Sequence, residues 1–356
     1  MAYTTVNDPS EYFHTRLYTG TGSSGLQVRN NANAGNFTPD WLWLKPRSLA
    51  DNHVTFDSSR GFNKQLKVHE TDAEDTHNPA KFTRETNGFD IDSTDQNYNQ
   101  SGATYVAWQW TCNGGSTTSF SESGGNPGGT IQTNTDAGFS IIDYTGTGSA
   151  GTISHGLGKV PEWIVFKDRS SDGDDWFVYH VKTGNDGGVR LNSNTGDGDD
   201  SNRFNNTSPT TSVFTVGASG GVNDNNKPTI AFCFAPIQGY SKFGSYGGNG
   251  STNGPFVYTG FKPAWVLIKR TASSSQWHLI DSTRNEFNVS NKVLFPSTNE
   301  AEQSYTGSDP MIDILSNGFK LRSSYNQVNS SSGTYLYMTF AERPFVTSDG
   351  VPTVAR

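Results

Sequence analysis

The stretch Trp163-Ile-Val-Phe-Lys167-Asp-Arg169 decides the fold, because its pattern occurs three times in the chain. The other copies begin at Trp41, as Trp-Leu-Trp-Leu-Lys-Pro-Arg, and at Trp265, as Trp-Val-Leu-Ile-Lys-Arg. Each copy is a short run of bulky and β-branched residues that follows a proline two positions earlier. Such a run has the length of a strand and is too short for a stable helix. The pattern predicts a central β-strand covered on both faces, with the proline just before it.

Further landmarks recur in the same order around each copy of this strand. A glycine-rich turn of the Tyr-Thr-Gly-Thr-Gly type precedes it, a second short strand follows it, and an alternating aromatic strand closes the unit. The turns begin at Tyr18, Tyr144 and Tyr246. The second strands begin at His53, Trp176 and Trp277, and the closing strands begin at Tyr105, Ile230 and Tyr335. Repetition of this kind is the signature of a multiplied structural unit. We therefore predict an all-β chain of three tandem β-sandwich modules, each of about 100 residues.

The predicted boundaries follow from where the landmarks begin and end. Modules 1, 2 and 3 span 14–112, 137–236 and 242–343. Residues 113–136 are rich in Gly, Ser and Thr and lack apolar periodicity, which predicts a flexible linker. Residues 1–13 and 344–356 are predicted to form an N-terminal arm and a C-terminal tail.

The composition argues against several classes of partner. Charged residues make up 17% of the chain, against about 25% in typical soluble domains. The formal charge is −8 and the Lys and Arg residues are scattered, whereas nucleic acid and anionic membranes need a basic patch. No apolar segment approaches the ~20 residues of a membrane span, and the polar N-terminus carries no export signal. Two cysteines are too few for a disulfide framework, so we expect free thiols and synthesis in the host cytoplasm.

The same residues carry a resemblance to a group of viral proteins. The opening Met1-Ala-Tyr-Thr-Thr-Val, the glycine-rich turn, the Trp-x-x-x-Lys-x-Arg strand and the stretch from Ile153 to Trp163 resemble tail-fibre-like structural proteins of marine bacteriophages, including repeats of cyanophage and pelagiphage virion proteins. The resemblance covers about residues 14–343. It implies a jelly-roll or concanavalin-lectin-like sandwich and a place on the tail or capsid surface of the virion. It also implies other virion proteins as partners and a homo-oligomer, with a trimer as the expected form.

From this resemblance we expect a tail fibre or receptor-binding protein that adheres to a bacterial surface glycan, with repeated weak sites gaining avidity. Two alternatives stay open. One is a capsid decoration or head-fibre protein with a purely structural role, and the other is a polysaccharide depolymerase. The sequence has no Gly-x-Ser-x-Gly elbow and no repeated carboxylate pair of the glycosidase kind. We therefore predict no enzymatic activity, no catalytic residue and no cofactor.

The candidate ligand-binding residues are of two chemical kinds. The Asp-Ser-x-Arg motif pairs Asp57 with Arg60 and Asp281 with Arg284, and such charged groups hydrogen-bond vicinal sugar hydroxyls well. The alternative for these pairs is a turn stabilised by its Asp and pinned by an ion pair. Aromatic rings that stack on sugars are the second kind. The remaining candidates are Trp43, Trp176, Trp277 and Tyr325, together with His180, for which a structural role is the default.

Two acidic glycine loops of module 2 are weak candidates for calcium, because clustered Asp side chains supply hard oxygen ligands. The loops contain Asp172, Asp174 and Asp175, and Asp197, Asp199 and Asp200. Neither loop has the full EF-hand spacing with a bidentate Glu. The sequence therefore favours solvated turns and no bound metal.

Overall fold

The computed structural model describes residues 3–30, 37–170, 173–272, 274–306, 309 and 311–352. Within these ranges the chain is built of antiparallel β-sheets. The helices there are short: a 3-10 turn (Pro9–Glu11), α1 (Gln96–Asn99) and α2 (Asn326–Asn329). The predicted all-β fold class is therefore confirmed.

Module 1 forms a main sheet and a smaller covering sheet. Its strands are β1 (Phe13–Thr19), β2 (Leu26–Arg29), β3 (Trp41–Pro46), β4 (Val54–Asp57), β5 (Lys64–Lys67), β6 (Asp75–Thr76), β7 (Phe82–Glu85), β8 (Gly88–Ile91) and β9 (Thr104–Trp110). The main sheet has the order β1-β9-β3-β4-β5-β6, and the covering sheet has the order β2-β8-β7. The strand that begins at Trp41 therefore lies in the middle of its sheet, as predicted.

Module 2 repeats this plan with two additional strands at one edge. Its strands are β10 (Thr118–Phe120), β11 (Gly128–Asn134), β12 (Phe139–Thr145), β13 (Gly151–Ser154), β14 (Trp163–Asp168), β15 (Phe177–His180), β16 (Val189–Arg190), β17 (Val213–Val216) and β18 (Pro228–Phe234). The main sheet has the order β10-β11-β12-β18-β14-β15-β16, covered by β13-β17. The predicted linker over 113–136 contains β10 and β11, so the prediction of a flexible segment is wrong for these two strands. β11 pairs with β12 over seven residues, and β10 forms the edge of the sheet.

Module 3 has the main sheet with the fewest strands. Its strands are β19 (Ser241–Gly247), β20 (Phe256–Tyr258), β21 (Phe261–Arg270), β22 (His278–Asp281), β23 (Lys292–Val293), β24 (Gln303–Ser304), β25 (Ile312–Leu315), β26 (Gly318–Leu321) and β27 (Thr334–Pro344). The main sheet has the order β19-β27-β21-β22, the covering sheet has the order β20-β26-β25, and β23 pairs with β24. All three modules thus place the closing strand between the first strand and the tryptophan strand.

The two faces of each tryptophan strand enter different hydrophobic clusters, which follows from strand alternation. In β14 the side chains of Trp163 and Val165 join one cluster, and those of Ile164 and Phe166 join another. Every residue of β3 and β14 is buried. The outward cluster of each module lies between its main sheet and its covering sheet, as in Leu42, Phe56, Phe89 and their neighbours in module 1. The prediction that these strands are covered on both faces is confirmed.

The inward faces of the three main sheets meet in one shared aromatic core. Trp41, Trp163 and Trp265 are at most 4% exposed and belong to the same cluster. The ring of Trp41 in module 1 stacks on Phe232 of module 2 at a centroid distance of 4.5 Å, and Trp110 meets Trp265 of module 3 at 5.8 Å. Large aromatic rings bury about 150–250 Å² each, so this core dominates the hydrophobic stabilisation. The modules are therefore tandem in sequence but packed around a common centre.

The predicted N-terminal arm is part of this packing. Val6 is 2% exposed and belongs to the shared core. The Thr4 hydroxyl donates a hydrogen bond to the backbone carbonyl of Gln238 at 2.7 Å. The Asn7 side chain joins the tail through hydrogen bonds with Ser348. The described parts of the arm and the tail therefore lie against the modules.

The two cysteines, Cys112 and Cys233, are buried free thiols, as expected. Burial raises the pKa of both thiols above the usual value for cysteine. Each thiol therefore stays protonated at neutral pH and behaves as a small apolar side chain.

Candidate functional site

The Asp-Ser-x-Arg motifs form buried turns. In module 1 the Asp57 Oδ1 accepts hydrogen bonds from the backbone N–H groups of Ser59 and Arg60, and the Arg60 Nε lies 2.5 Å from the Asp57 Oδ2. Module 3 repeats the ion pair with Asp281 and Arg284, also at 2.5 Å. The side chains of all four residues are fully enclosed, so they cannot reach a glycan in solution. The sugar-binding interpretation is wrong for these residues, and the turn pinned by an ion pair is confirmed.

Each of these turns continues into an ion-pair network that joins two modules. Glu74 of module 1 accepts from Arg60 at 2.9 Å and from Arg169 of module 2 at 3.0 Å. Burial alone would raise the pKa of Glu74, but the Arg60 and Arg169 guanidinium groups outweigh burial and lower it. A carboxylate held by two buried guanidinium groups is costly to remove, because each cation is then left with one carboxylate. That carboxylate is Asp57 for Arg60 and Asp143 for Arg169.

The junction between modules 3 and 1 has the same design. Glu302 accepts from Arg284 at 3.1 Å and from Arg47 at 2.8 and 2.9 Å. Trp108 of module 1 also donates its indole N–H to Asp281 of module 3 at 3.0 Å. Arg47 and Arg169 are the last residues of their Trp-x-x-x-Lys-x-Arg motifs, so the recurring arginine is a signal for these junctions. Glu74 and Glu302 lie in dissimilar sequence and gave no such signal.

The recurring lysines of the same motif are buried and bind backbone carbonyl groups. Lys45, Lys167 and Lys269 are 0% exposed. The Nζ of Lys167 donates to Thr71 of module 1 at 3.1 Å, and that of Lys269 donates to Asn194 of module 2 at 3.3 Å. Burial lowers the pKa of Lys45 to about 7 and that of Lys269 to about 8. Lys167 and Lys269 therefore fasten their modules to a neighbour.

The aromatic candidates are also part of the framework. Trp43, Trp176 and Trp277 are at most 2% exposed. The Trp176 indole N–H donates to Lys67 of module 1 at 2.9 Å, and that of Trp277 donates to Arg190 of module 2 at 2.8 Å. The prediction that these rings stack on sugars is wrong, because their faces are covered by the neighbouring module.

His180 and Tyr325, the other two candidates, lie in separate modules. His180 is 0% exposed and meets the Trp163 ring edge-on at 5.2 Å, which agrees with the structural role expected for it by default. Tyr325 is half-buried, precedes α2 and accepts a hydrogen bond from the Gln327 side chain at 2.7 Å. The structure does not bring the candidate residues together into one site.

Buried imidazoles make the fold sensitive to acid. Burial lowers the pKa from 6.5 to about 4 in His14, His69, His180 and His278. Because the folded-state pKa lies below the unfolded-state value, each neutral ring contributes stability that is complete above about pH 6.5 and is lost as the pH falls toward 4. We expect urea unfolding to show a loss of about 2 kcal/mol for each fully buried ring between about pH 7 and about pH 4.5.

A His278→Gln variant tests this assignment, since His278 is 0% exposed and glutamine does not titrate. The same acidification should destabilise this variant by about 2 kcal/mol less than the unchanged protein. An equal loss in the two proteins would show that the acid sensitivity arises elsewhere.

Most of the acidic residues in the two glycine loops are engaged by protein groups. Asp175 pairs with Arg190 at 2.6 Å, Asp200 lies 3.3 Å from Arg203, and Asp197 accepts from the Gly188 N–H at 2.7 Å. Asp199 is exposed to solvent. Asp172 lies outside the described residues, and Asp174 belongs to a different acidic cluster, with Asp168 and Asp224.

A groove between modules 1 and 3 is the candidate ligand site. It encloses about 340 Å³, within the range of small-molecule sites. Strand β1 forms one wall, and strands β21 and β27 with the loop after β22 form the other. The groove is lined by Ser10, Phe13, His14, Thr15, Lys262, Ala264, Ser282, Thr283, Glu286, Ala341 and Glu342. Hydroxyl, carboxylate and ammonium groups therefore converge over a small apolar floor.

Charge and unused hydrogen-bonding capacity distinguish this groove. Lys262 and Glu342 form an ion pair at 2.7 Å. His14 Nε2 and Thr15 Oγ1 are buried without a hydrogen-bond partner among the residues that the structure describes. Phe287, the residue after the lining residue Glu286, is 79% exposed. Sequence reasoning missed this site, because its residues come from four separate segments and only Ser282 and Thr283 stand in a recurring motif.

Comparison with known proteins identifies the family of the chain. The part that the structure describes contains no helix with the length and apolar character that crossing a membrane requires. A search of curated proteins and a search of solved structures each gave no match. Residues 8–344, which include all three modules, match a domain of unknown function, DUF7483. The protein is therefore a member of the DUF7483 family.

Proposed function

We propose that this protein is a structural component of a bacteriophage particle that adheres to a glycan on the host surface. The groove between modules 1 and 3 is the proposed glycan site. The observation that carries the proposal is the convergence of hydroxyl, carboxylate and ammonium groups in one groove of about 340 Å³. Sugars are recognised by such groups because each hydroxyl can both donate and accept a hydrogen bond.

The groove is set on a rigid support. Phe13 forms part of its floor and stacks on Phe340 of module 3 at 5.4 Å, inside the shared core. A binding site fixed by a packed core does not have to be ordered when the ligand arrives, which lowers the entropic cost of binding. The exposed ring of Phe287, which follows the lining residue Glu286 in sequence, offers an apolar face of the kind that stacks on a pyranose.

The place in the virion rests on the resemblance of the repeated strands and turns to tail-fibre-like proteins of marine bacteriophages. The expected homo-oligomer would present several grooves together, and repeated weak sites gain avidity when they engage one surface. Light scattering of the purified protein measures its molar mass and so tests the predicted trimer. Immunogold electron microscopy of phage particles shows whether the protein lies on the tail or on the capsid.

A glycan array with the full-length protein tests the adhesive function. Lys262→Met should weaken binding to the glycan that the array identifies by about 10-fold or more, because a charge-assisted hydrogen bond contributes about 1.5–3 kcal/mol. Lys81→Met is the matched control. Lys81 pairs with Asp95 at 3.0 Å and lines a different groove in module 1. Equal binding by both variants and the unchanged protein would show that this groove is not the glycan site.

The two alternative functions give different results in the same experiments. A purely structural decoration or head-fibre protein would bind no host glycan and would localise to the capsid. A depolymerase would shorten host polysaccharide, and Glu286→Gln or Glu342→Gln would abolish that activity because both carboxylates line the groove.

A further inference from the structure

In each module the main sheet meets the loop before the closing strand at a place that we call the corner. Hydrogen bonds that recur there show which residues of the three modules are equivalent. A tyrosine of the first strand donates its hydroxyl to a backbone carbonyl of that loop in each module. The pairs are Tyr18 with Tyr98, Tyr144 with Val222, and Tyr246 with Val328. The next loop residue is an asparagine that accepts a turn N–H through its side chain: Asn99, Asn223 and Asn329. The three corners can therefore be compared position by position.

In modules 1 and 3 a buried tyrosine occupies this corner. The Tyr105 hydroxyl accepts from the Gln100 N–H at 2.8 Å and donates to the Gln96 carbonyl at 2.7 Å. Tyr335 makes the same two contacts with Ser330 and Asn326, both at 2.6 Å. The sheet register places Thr229 at this position in module 2, opposite the last residue of β14. Module 2 thus has a much smaller side chain where its neighbours have a phenol ring.

Carboxylates surround the space beside Thr229. Asp168 stands where the other modules have Pro46 and Arg270, according to the sheet register. Asp224 follows Asn223 and stands where the other modules have Gln100 and Ser330. Asp174 completes the group, and the three side chains bring one carboxylate oxygen each within 4.8 Å of one another. Since the other modules fold without acids at the positions of Asp168 and Asp224, the repeat itself does not require them.

Two buried oxygen atoms at this corner lack a partner in the described part of the chain. Asp168 is 0% exposed; its Oδ1 accepts from the Ser170 N–H at 2.7 Å, whereas its Oδ2 accepts no hydrogen bond there. Thr229 is also 0% exposed; its Oγ1 lies beside the Tyr144 hydroxyl and makes no hydrogen bond of good geometry among the same residues. The two residues face each other across β14 and β18, so their side chains lie on the same face of the sheet. Buried polar atoms without partners are costly unless something binds them.

The negative charges at the corner also favour the binding of a cation. Burial, followed by the charges of Asp168 and Asp224, raises the pKa of Asp174. The nearby Lys167 ammonium donates to the Asp174 backbone carbonyl at 2.9 Å and to Thr71, so it is held on the backbone. Asp224 accepts a long hydrogen bond of 3.4 Å from the Gly221 N–H. The Lys167 charge offsets part of the repulsion at Asp174, and three carboxylates share that ammonium group.

We propose that Asp168, Asp174, Asp224 and Thr229 bind a calcium ion in module 2. Calcium takes six to eight oxygen ligands at about 2.3–2.6 Å, so ligand atoms on opposite sides of one ion lie about 4.8 Å apart. The three carboxylate oxygens lie within 4.8 Å of one another, which is close enough for one ion to contact all three. Carboxylates on a strand end and two loops suit the flexible coordination of calcium better than the octahedral geometry of magnesium. The ion would tie these two loops to the main sheet.

Calcium binding can be tested with full-length protein that has been treated with a chelator and dialysed. Calcium at about 5 mM should raise the unfolding temperature by about 1.5–3 °C, given a Kd of about 0.1–1 mM as in extracellular calcium modules. Terbium alone should give saturable luminescence sensitised by Tyr144, and calcium should displace it. No thermal shift together with no saturable terbium signal would overturn the proposal.

Variants that give module 2 the residue found at the same position in a neighbouring module distinguish a loss of calcium binding from a loss of folding. Asp224→Ser copies module 3, and Thr229→Tyr copies both neighbours, so each residue type is one that this fold already accepts. Both should abolish the calcium shift, and Asp224→Ser should be more stable than the unchanged protein without calcium, because one repelling charge is gone. Asp199→Asn, at an exposed acid of the other loop, is the control and should respond to calcium normally. A full calcium response in Asp224→Ser, or an equal shift with magnesium, would overturn the assignment.

Discussion

Replacing Trp41 with alanine is expected to lower the free energy of unfolding by about 3–5 kcal/mol, as for other buried tryptophans. The ring contacts Trp110 of its own module at 4.4 Å and Phe139, Phe232 and Phe234 of module 2 at 4.5–6.0 Å. Its loss leaves a cavity in the shared core, and neighbouring rings held by two different sheets cannot close it. Denaturant titration followed by tryptophan fluorescence and by far-ultraviolet circular dichroism measures the change.

The cooperativity of unfolding is the more informative part of this experiment. Because the inward faces of all three main sheets form one cluster, we expect one transition, and Trp41→Ala should shift all of it. Phe287→Ala is the matched control, since that ring is 79% exposed and its removal should change stability by less than about 0.5 kcal/mol. Two or three separate transitions, with only one displaced by Trp41→Ala, would show that the modules are energetically independent.

Replacing Glu74 with glutamine is expected to destabilise the protein by about 3 kcal/mol, because it leaves two guanidinium groups without their shared carboxylate. The Arg60 side chain is fully enclosed, and those of Glu74 and Arg169 are about 10% and 9% exposed, so water replaces little of the lost interaction. The same change at Glu302, which holds Arg284 and Arg47, should have a similar effect. Urea unfolding at neutral pH measures both.

Glu300→Gln provides the control for these two variants, because Glu300 is exposed and lies two residues from Glu302. Its effect should stay below about 0.5 kcal/mol. A double variant, Glu74→Gln with Arg169→Met, should cost less than the sum of the single changes, since the second removes a cation that has already lost one of its two carboxylate partners. Strict additivity would indicate that Glu74 and Arg169 do not interact across the module boundary.

The local parts of the fold were predictable from the sequence because they depend on periodicity alone. Apolar residues on both faces of Trp163–Lys167 can be satisfied only by a strand covered on both sides, and the structure confirms this. The alternation of Phe232 and Phe234 against Ala231 and Cys233 also matches the division between the shared core and the outer cluster of module 2. The likeness to jelly-roll or lectin sandwiches remains a prediction.

The candidate site was not predictable in the same way. Residues at recurring positions, such as Asp57, Trp176 and Trp277, were plausible ligand contacts by chemical type, yet recurrence marked them as parts of the framework. The groove between modules 1 and 3 is assembled from residues such as Thr15, Lys262 and Glu342, which share no motif and are far apart in sequence. The acidic corner of module 2 was only partly visible, since Asp174 stood in a glycine loop whereas Asp168 and Asp224 gave no signal.

The sequence by itself determined that the chain is all-β, that it contains three copies of one unit, and which residues of each strand share a face. These properties follow from side-chain alternation and from repetition, both of which are local. Only the tertiary structure decided that the three copies share one aromatic core, that the Asp–Arg pairs are enclosed at module junctions, and that polar groups converge between modules 1 and 3. Those outcomes depend on which faces of distant segments pack together, and the same local pattern is compatible with independent modules as well as with joined ones.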